Sequence, residues 1–517
     1  MAGAAISKPT RVDIEFINLI DFTLKNVIDI KQMVMEFSIY EDLYAPTMKM
    51  GLGIMDAQGL VERFPIVGQE YIYISYKTGG EDFEYTRHWF RVQGIQERSW
   101  YKERDEVYIL ECVSQEFIRD LHTSVKGAYQ GLSAGKIIQR VYSNYLQNPD
   151  DRLQKLPGYR DKPLHICFDT KVFTPERPLH IIANGRSPID LINQVCKESV
   201  TSIVDEETGS TMPVCDYLFF ERSDGFHFTS LAQLRKGYGG YGESWYKSLQ
   251  NIHCDDMYTG DMNKQDMGTG KKQSEATVIE GISIVNNKDI IYDINEGYYD
   301  NTVSTLDPLR KTYTKRKWHY GTDFDKGNLV TIGIGEKFKD IHPEADEMDK
   351  AKFDGSSKGR YIISTETPKL EGSYKNAVYL KGRVSEQLSD GSEKINDRQM
   401  YWDRNRHTQL HKAVASWASE DKIVLNITVP GHTNTMVGQT VEVHIPQTND
   451  QDNGARLAEL NRLWSNSLDG STFLVTAVRH KYSSENDELH TTVSVTKNAF
   501  ARSPFDFNVC DYNVGDL

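Results

Sequence analysis

Residues 131–135, Gly-Leu-Ser-Ala-Gly, match the GxSxG pattern of a hydrolase nucleophile elbow. In such an elbow a strand leads into the serine and a helix follows it. The residues after Ser133 have helical periodicity, but the preceding VKGAYQ lacks the pattern of a strand. We therefore predict that Ser133 is a helix N-cap and not a nucleophile.

Residues 237–242 match the dinucleotide-binding pattern GxGxxG. That site needs a strand before the glycines and a helix that opens within them. The next residues, Glu-Ser-Trp-Tyr, predict no clear helix. A tyrosine- and glycine-rich loop, one that packs on a neighbouring subunit, is the favoured interpretation.

Two further patterns suggest metal binding but are incomplete. His407 and His411 have the spacing of metalloprotease ligands, yet Thr408 stands where the catalytic Glu belongs and no third ligand can be nominated. Residues 323–327 resemble a calcium loop, but the glycine comes one position early and no bidentate Glu follows. We predict that the chain is not an enzyme and has no catalytic, cofactor-binding or metal site.

The composition predicts a large, acidic, multidomain protein. A length of 517 residues suggests two to four domains, and 38% hydrophobic content supports real cores. The net charge of -14 argues against a protein that binds nucleic acid through contacts to its phosphates. An acidic surface would still let DNA pass without binding it, because it repels phosphate. A mean hydropathy of -0.55 and the lack of a long apolar run argue against membrane insertion.

The N-terminus and the cysteines add two expectations. The N-terminus has no apolar segment long enough for a secretory signal. The six cysteines are scattered without a CxxC pair, as expected of reduced, buried thiols in a protein that folds in the cytosol.

The order of elements predicts a β-rich unit, then a mixed one. Alternating apolar residues predict six strands in the first unit: Val12–Phe16, Met33–Ile39, Met50–Met55, Tyr71–Tyr76, Trp89–Ile95 and Val107–Val113. Between about 114 and 234, helices are predicted to begin at Ser133 and at Ser187-Pro188, and Asp224-Gly225 predicts a hairpin turn.

The rest of the chain alternates polar segments with strands. Residues 235–275 and 342–360 are predicted to be loops or insertions, and strands are predicted at 277–285 and 289–294. A helix is predicted at about 403–418, followed by a second β-rich unit from Ile423 to Val495.

The second β-rich unit echoes the first. Val67-Gly68-Gln69 leads into one alternating strand, and Val437-Gly438-Gln439 leads into another. In both units a strand, a charged connection and another strand follow, which indicates an internal duplication. Local turn chemistry alone is the alternative explanation for the repeated Val-Gly-Gln.

The chain resembles the baseplate hub proteins of contractile-tailed bacteriophages. The resemblance rests on residues 37–56 (FSIYEDLYAPTMKMGLGIMD) and 64–70 (FPIVGQE), and it continues through 217–231, 429–446 and 473–497 in the same order. The matching positions are expected to be scaffold features: Tyr40, Glu41, Asp42, Pro46, Val67, Gly68, Gln69, Asp224, Gly225, Pro430, Gly431, Val437 and Gly438.

The resemblance implies an α+β, mainly β fold with two tube-like β-barrel domains and an intervening α/β domain. The expected boundaries are 1–118 for the first barrel, 119–234 for the α/β domain, 235–360 for loops with additional strands, 361–500 for the second barrel with its preceding helix, and 501–517 for a tail. Residues 235–275 and 342–360 are extended relative to simpler hubs.

The resemblance also implies a structural role in the virion, at the tail baseplate, after assembly in the host cytoplasm. A homotrimer would form a pseudo-sixfold ring that joins the sixfold tail tube to the threefold central spike. Its partners would be the tail tube, central spike, tape measure and baseplate wedge proteins, with DNA passing through the lumen unbound. A virion-associated cell-wall glycan hydrolase and a glycan-binding adhesin remain alternatives.

Overall fold

The computed structural model describes four stretches of the chain. They are residues 12–147 without 65, 79–84 and 102–104; 159–234 without 160, 167–178, 200, 205–210, 215–216 and 232–233; the segments 249–254, 278–285, 300–307, 312–319, 358–363, 385–387 and 393–395; and 423–497 without 432–434 and 445–470. The fold is mainly β with a few short helices, which confirms the predicted class. None of the helices in these stretches combines the length and apolar composition needed to span a membrane.

The first β-rich unit contains all six predicted strands, most of them longer than predicted, although Met33 falls in a 3-10 helix and not in the strand that follows it. Its elements are β1 (Val12–Ile20), β2 (Val27–Asp29), a 3-10 helix (Lys31–Met33), β3 (Val34–Asp42), β4 (Lys49–Asp56), α1 (Leu60–Arg63), β5 (Tyr71–Thr78), β6 (Thr86–Trp100) and β7 (Glu106–Ser114).

The middle unit mixes helices and short sheets, as predicted. Its elements are α2 (Gln115–His122), β8 (Val125–Leu132), α3 (Ala134–Val141), a π-helix (Tyr142–Leu146), β9 (Leu164–Ile166), β10 (Leu179–Arg186), α4 (Pro188–Glu198), β11 (Thr201–Val204), β12 (Thr211–Val214), β13 (Tyr217–Arg222) and β14 (Gly225–Ser230). Ser187 caps α4 by accepting a hydrogen bond from the Asp190 amide, and β13 and β14 form the predicted hairpin.

One expectation in this unit was wrong. The segment VKGAYQ belongs to strand β8, which pairs antiparallel with β10. Its glycines and mostly exposed side chains give it little strand propensity, so the pairing with β10 determines its conformation. Ser133 nevertheless lies at the N-cap of α3 in ordinary extended backbone, without the strain of a nucleophile elbow, although its side chain makes no capping hydrogen bond.

The remaining strands lie between residues 249 and 497, and two of them fall within or overlap the segments 235–275 and 342–360 that were predicted to be loops or insertions. They are β15 (Leu249–Cys254), β16 (Val278–Ile279), β17 (Gly281–Val285), β18 (Asp300–Asp307), β19 (Thr312–His319), β20 (Lys358–Ile363), β21 (Ser385–Gln387), β22 (Glu393–Ile395), β23 (Ile423–Pro430), β24 (Thr440–His444), β25 (Ser471–Ser483) and β26 (Glu488–Lys497). The strand predicted at 289–294 and the helix predicted at 403–418 lie outside the described residues.

Two halves of one 14-stranded sheet share the same strand order. The first half-sheet (β1–β7) runs β3-β4-β7-β6-β5-β1-β2. The second half-sheet (β15–β17 and β23–β26) runs β17-β23-β26-β25-β24-β15-β16. They differ at one edge, where β1 is antiparallel to both β5 and β2 whereas β15 is parallel to both β24 and β16. The shared order supports the internal duplication predicted from the repeated Val-Gly-Gln.

The two half-sheets meet at a joint between β25 and β3. Residues 477–483 of β25 pair antiparallel with residues 36–42 of β3, so the sheet continues from one half to the other. The cores interpenetrate there. Tyr482 of β25 belongs to the core of the first half-sheet and stacks on Phe37, and Leu43, just after β3, belongs to the core of the second. The joint therefore makes one packed body of the two halves.

Candidate functional site: the junction of the half-sheets

A buried carboxylate on β3 connects three segments that are far apart in the sequence. Glu41 accepts hydrogen bonds from the Ser223 amide at 2.8 Å, from the Ser223 hydroxyl and from the Val437 amide at 3.2 Å. Ser223 lies in the β13–β14 turn, and Val437 in the turn before β24. Glu41 thus holds the middle unit and the second half-sheet against the first half-sheet.

The surroundings of Glu41 disfavour its charge. Burial raises the pKa of Glu41 from its usual 4.5 to about 7, against the opposing effects of the Ser223 hydrogen bond and the Arg222 charge. A carboxyl group in such a position changes its protonation near neutral pH.

The second part of the junction is an ion pair that reaches the same turn. The Arg222 guanidinium is buried and contacts both oxygens of Asp224, with Nε 2.8 Å from Oδ1, and it also donates to the Val437 carbonyl at 3.3 Å. His227 Nε2 lies 2.9 Å from Asp224 Oδ1. Burial opposes ionisation of Asp224, but the hydrogen bonds from His227 and Arg222 hold its pKa well below the usual range.

The imidazoles beside Asp224 are kept neutral. Burial, with the nearby Arg222 charge, lowers the pKa of His227 to about 4. Burial also lowers the pKa of His165, whose ring centroid lies 4.7 Å from that of His227.

His165, Asp224 and His227 place three potential metal ligands within 4.8 Å of one another. Asp224, however, already pairs through both oxygens with the fixed cation of Arg222. A divalent ion would have to displace that guanidinium from a buried position, at a large cost in free energy. The cluster therefore serves as an ion-pair network and does not suit a metal.

Two of the matching glycines lie where a side chain has no room. A Cβ on Gly225 would lie 2.5 Å from the Pro163 carbonyl oxygen, and Gly225 has φ +135°. A Cβ on Gly431 would lie 2.5 Å from Leu489 Cβ. Close backbone approach explains why glycine stands at both positions.

The two Val-Gly-Gln turns are held by different groups. In the first, the buried Glu70 carboxylate accepts hydrogen bonds from the amides of Val67, Gly68 and Gln69 at 2.8, 3.0 and 3.0 Å. In the second, Gln439 Oε1 accepts from the Met436 amide at 3.1 Å, and Glu41 supplies the acceptor for Val437. The second turn thus depends on the other half-sheet, whereas the first is held by its own residue.

The other matching positions lie near the joint. The exposed Tyr40 ring faces the Arg479 guanidinium of β25 at 5.3 Å. Asp42 Oδ1 accepts from the Tyr44 amide at 2.8 Å and turns the chain into the connection that contains the half-buried Pro46. Pro430 is the last residue of β23. The structure thus brings Glu41, Asp224 and Val437 together in one contact network, which the sequence alone does not indicate.

A second charged cluster was not foreseen. Lys162 Nζ lies 3.0 Å from Glu116 Oε2 and also contacts Glu221, while Glu221 Oε2 accepts from the Met48 amide at 2.8 Å. Burial alone would lower the pKa of Lys162, but the two carboxylates outweigh it and hold the pKa above its usual value. The signal in the sequence was a charged pair, Glu221-Arg222, ending a strand that is otherwise apolar.

Most of the motifs weighed for chemistry fall where the structure describes no residues. Residues 237–242, 323–327 and the two histidines 407 and 411 lie outside the described residues. Two of the six cysteines have described side chains, Cys112 and Cys196, and both are buried free thiols whose pKa is raised by burial.

Comparison with known proteins gives structural likeness without sequence likeness. No protein-family profile matches the chain, and no curated protein matches it. A tail protein from Neisseria meningitidis aligns with 9% identity over 95% of this chain and 97% of its own, at a TM-score of 0.46. The 43 kDa tail protein of prophage MuSo2 from Shewanella oneidensis aligns with 9% identity over 95% and 98%, at a TM-score of 0.44.

A third similar structure is a component of the type VI secretion system of E. coli, itself described as similar to the bacteriophage T4 tail proteins gp27 and gp5. It aligns with 8% identity over 95% of this chain and 79% of its own, at a TM-score of 0.35. At these identities the likeness concerns the fold alone.

Proposed function

We propose that this chain is a structural hub protein of a contractile-tail baseplate. The observation that carries the proposal is the pair of half-sheets with one strand order, built into a single chain and joined edge to edge. A trimer of such a chain arranges six similar units around one threefold axis. It can therefore match a sixfold tube on one face and a threefold spike on the other.

In this proposal residues 1–118 and 361–500 form two tube-like barrels, and 119–234 form the α/β domain between them. Residues 235–360 add loops and strands, of which β15–β17 join the sheet of the second unit, and 501–517 add a tail. The ring lies in the virion at the tail baseplate, after assembly in the host cytoplasm. It contacts the tail tube, central spike and baseplate wedge proteins through its faces and loops.

The lumen of the ring would pass the tape measure protein and then DNA. The net charge of -14 fits a passage that does not retain phosphate, because like charges repel. The junction around Glu41 is the part of the chain that would keep the two units of one subunit in a fixed relative orientation. A rigid pair of units is what a ring of defined diameter requires.

The test is the solution mass of the purified chain by light scattering, followed by electron-microscope class averages. We expect about 177 kDa, three times 59.1 kDa, and a hollow ring with six lobes. A monomer that persists after addition of the cognate central spike protein would overturn the proposal.

A further inference from the structure

We infer that neighbouring subunits join by pairing the distal part of β6 in one copy with β17 of the next, repeating the internal β25–β3 joint. This inference rests on the proposed ring and names the surfaces that close it. The partner is a second copy of this chain, and the contact is an antiparallel strand pair.

The internal joint provides the geometry. The first part of β25 pairs with β24 through residues 471–474, and the same edge then leaves β24 and pairs with β3 through residues 477–483. β6 is the counterpart of β25 in the first half-sheet. Its residues 86–91 pair with β5, and its far end extends to Trp100.

Corresponding rows of residues set the register. One row crosses the first half-sheet through Phe37, Leu52, Leu110 and Ile95, and the matching row crosses the second through Ile282, Ile427, Val493 and Val478. Ile282 therefore corresponds to Phe37, and Ile95 to Val478. In the internal joint, Phe37 lies opposite Tyr482, which pairs with Leu489, four residues before Val493. The residue four before Leu110 is Glu106, and it pairs with Trp100 because β6 has a bulge between Gln96 and Ser99. Trp100 is therefore placed opposite Ile282 of the next subunit.

Both edges are open in the described part of the chain. There, β17 pairs with β23 on one side, and the other side, which corresponds to the joint face of β3, carries no strand. Beyond Val92, the β5-side edge of β6 likewise carries none. Long uncovered edges are templates for pairing with another chain, and two different complementary edges on one subunit make a head-to-tail contact that can close into a ring.

The exposure of side chains at the two edges agrees with this pairing. Phe37 is fully buried beneath Tyr482, whereas its counterpart Ile282 is 38% exposed. At the open end of β6, Trp100 is 70% exposed. A neighbouring copy brings Trp100 next to Ile282 and covers both, as Tyr482 covers Phe37 within the chain.

The test is disulfide formation between subunits. Directly opposite residues in antiparallel strands place their Cβ atoms close enough for a disulfide. The double variant Trp100→Cys/Ile282→Cys, with Ser99→Cys/Ile282→Cys as the neighbouring register, should give covalent dimers and trimers on mild oxidation. The pair Leu121→Cys/Ile282→Cys is the matched control, since Leu121 is exposed on α2, and the unmodified chain gives the background of the natural cysteines.

A second measurement tests the pairing in case the local geometry prevents the disulfide from forming. Ile282→Asp and Trp100→Asp change exposed side chains, so both variants should fold, and each should raise the dissociation constant of the trimer at least tenfold. Leu121→Asp should leave it unchanged. A trimer by mass that shows neither cross-linking nor sensitivity to Ile282→Asp would overturn the edge pairing and leave the ring. A chain that stays monomeric alone and with its spike would overturn both.

Discussion

Glu41 and Val437 are 396 residues apart in the sequence, and the Val437 amide donates a 3.2 Å hydrogen bond to the Glu41 carboxylate. Gly438, the next residue, adopts φ +79°, so this turn has a fixed shape that an L side chain would resist. Glu41 also accepts a hydrogen bond from the Ser223 amide, so this one side chain fixes the relative positions of three segments. Five predictions follow from this arrangement and its neighbours.

The first prediction concerns the loss of the Glu41 acceptor. Glu41→Ala should lower the free energy of unfolding by about 2–3 kcal/mol at pH 5, because buried amides of Ser223 and Val437 lose their partner. Hydrogen exchange of residues 477–483 should accelerate at the same time, as the joint loosens. Urea unfolding and mass-detected exchange measure both, and unchanged exchange in β25 would contradict the assigned role.

The second prediction concerns pH. Folded Glu41 keeps its proton up to about pH 7, whereas an unfolded Glu loses it near 4.5, so ionisation opposes folding between these values. The free energy contributed by this residue falls as the pH rises through that window. Glu41→Gln should therefore gain stability relative to the natural chain between pH 5 and 8, by up to about 3 kcal/mol.

The control for that measurement is His227. Its pKa of about 4 makes it contribute in the opposite direction, since the unfolded chain binds this proton more readily below about pH 6.5. In Glu41→Gln the stability should rise with pH from about 4 to 6.5. A parallel pH dependence in the two proteins would show that Glu41 does not titrate in the window.

The third prediction concerns the ion pair. Asp224→Asn should cost about 3–5 kcal/mol, because the buried Arg222 charge is left without its carboxylate. The double variant Arg222→Met/Asp224→Asn should be less damaging than the single one, since no unpaired charge remains. Asp13→Asn breaks a surface pair with Lys77 at 3.7 Å and should cost under about 1 kcal/mol. Thermal unfolding of the four proteins tests the order.

The fourth prediction concerns backbone approach. Gly225→Ala and Gly431→Ala should each destabilise the chain by about 3 kcal/mol or reduce soluble yield, because the new Cβ meets Pro163 or Leu489. Gly94→Ala, where a Cβ meets nothing within 4 Å, should cost nothing. Equal stability of all three variants would contradict the steric explanation.

The fifth prediction separates the two similar turns. Glu70→Ala removes the acceptor of three amides and should cost about 2–3 kcal/mol. Unlike Glu41→Ala, it should leave exchange at the β25–β3 joint unchanged, because Glu70 acts within its own turn. Faster exchange at residues 477–483 in Glu70→Ala would show that the first turn also supports the joint.

Local patterns predicted much of the fold. Alternation of apolar residues predicted the six strands of the first unit. In the middle unit, Asp224-Gly225 predicted the hairpin turn and Ser187-Pro188 predicted the start of a helix. These predictions succeed because each feature depends on chemistry within a few residues. Strand β8 escaped prediction, since its conformation comes from pairing with β10 and not from its own side chains.

The junction could be predicted only in part. Glu41, Asp224 and Val437 are among the predicted scaffold positions, but nothing local to any of them indicates the other two. Lys162, Glu116 and Glu221 were missed because charged residues are frequent in this chain. What distinguishes them is the burial of the two carboxylates, which the partly buried Lys162 contacts. Long-range contacts of polar groups leave little trace in a single sequence.

The joint between β25 and β3 also constrains how the chain is made. Arg479 and Ser38, which share a hydrogen bond across it, are 441 residues apart, so β3 leaves the ribosome long before its partner strand exists. Until β25 has been synthesised, the nascent first unit displays an uncovered β3 edge. Polysomes hold several nascent chains close together. The β25 strand of one chain can therefore pair with the β3 edge of a neighbouring chain in place of the β3 edge of its own chain. We therefore expect domain-swapped by-products to form when the chain is expressed at high ribosome density.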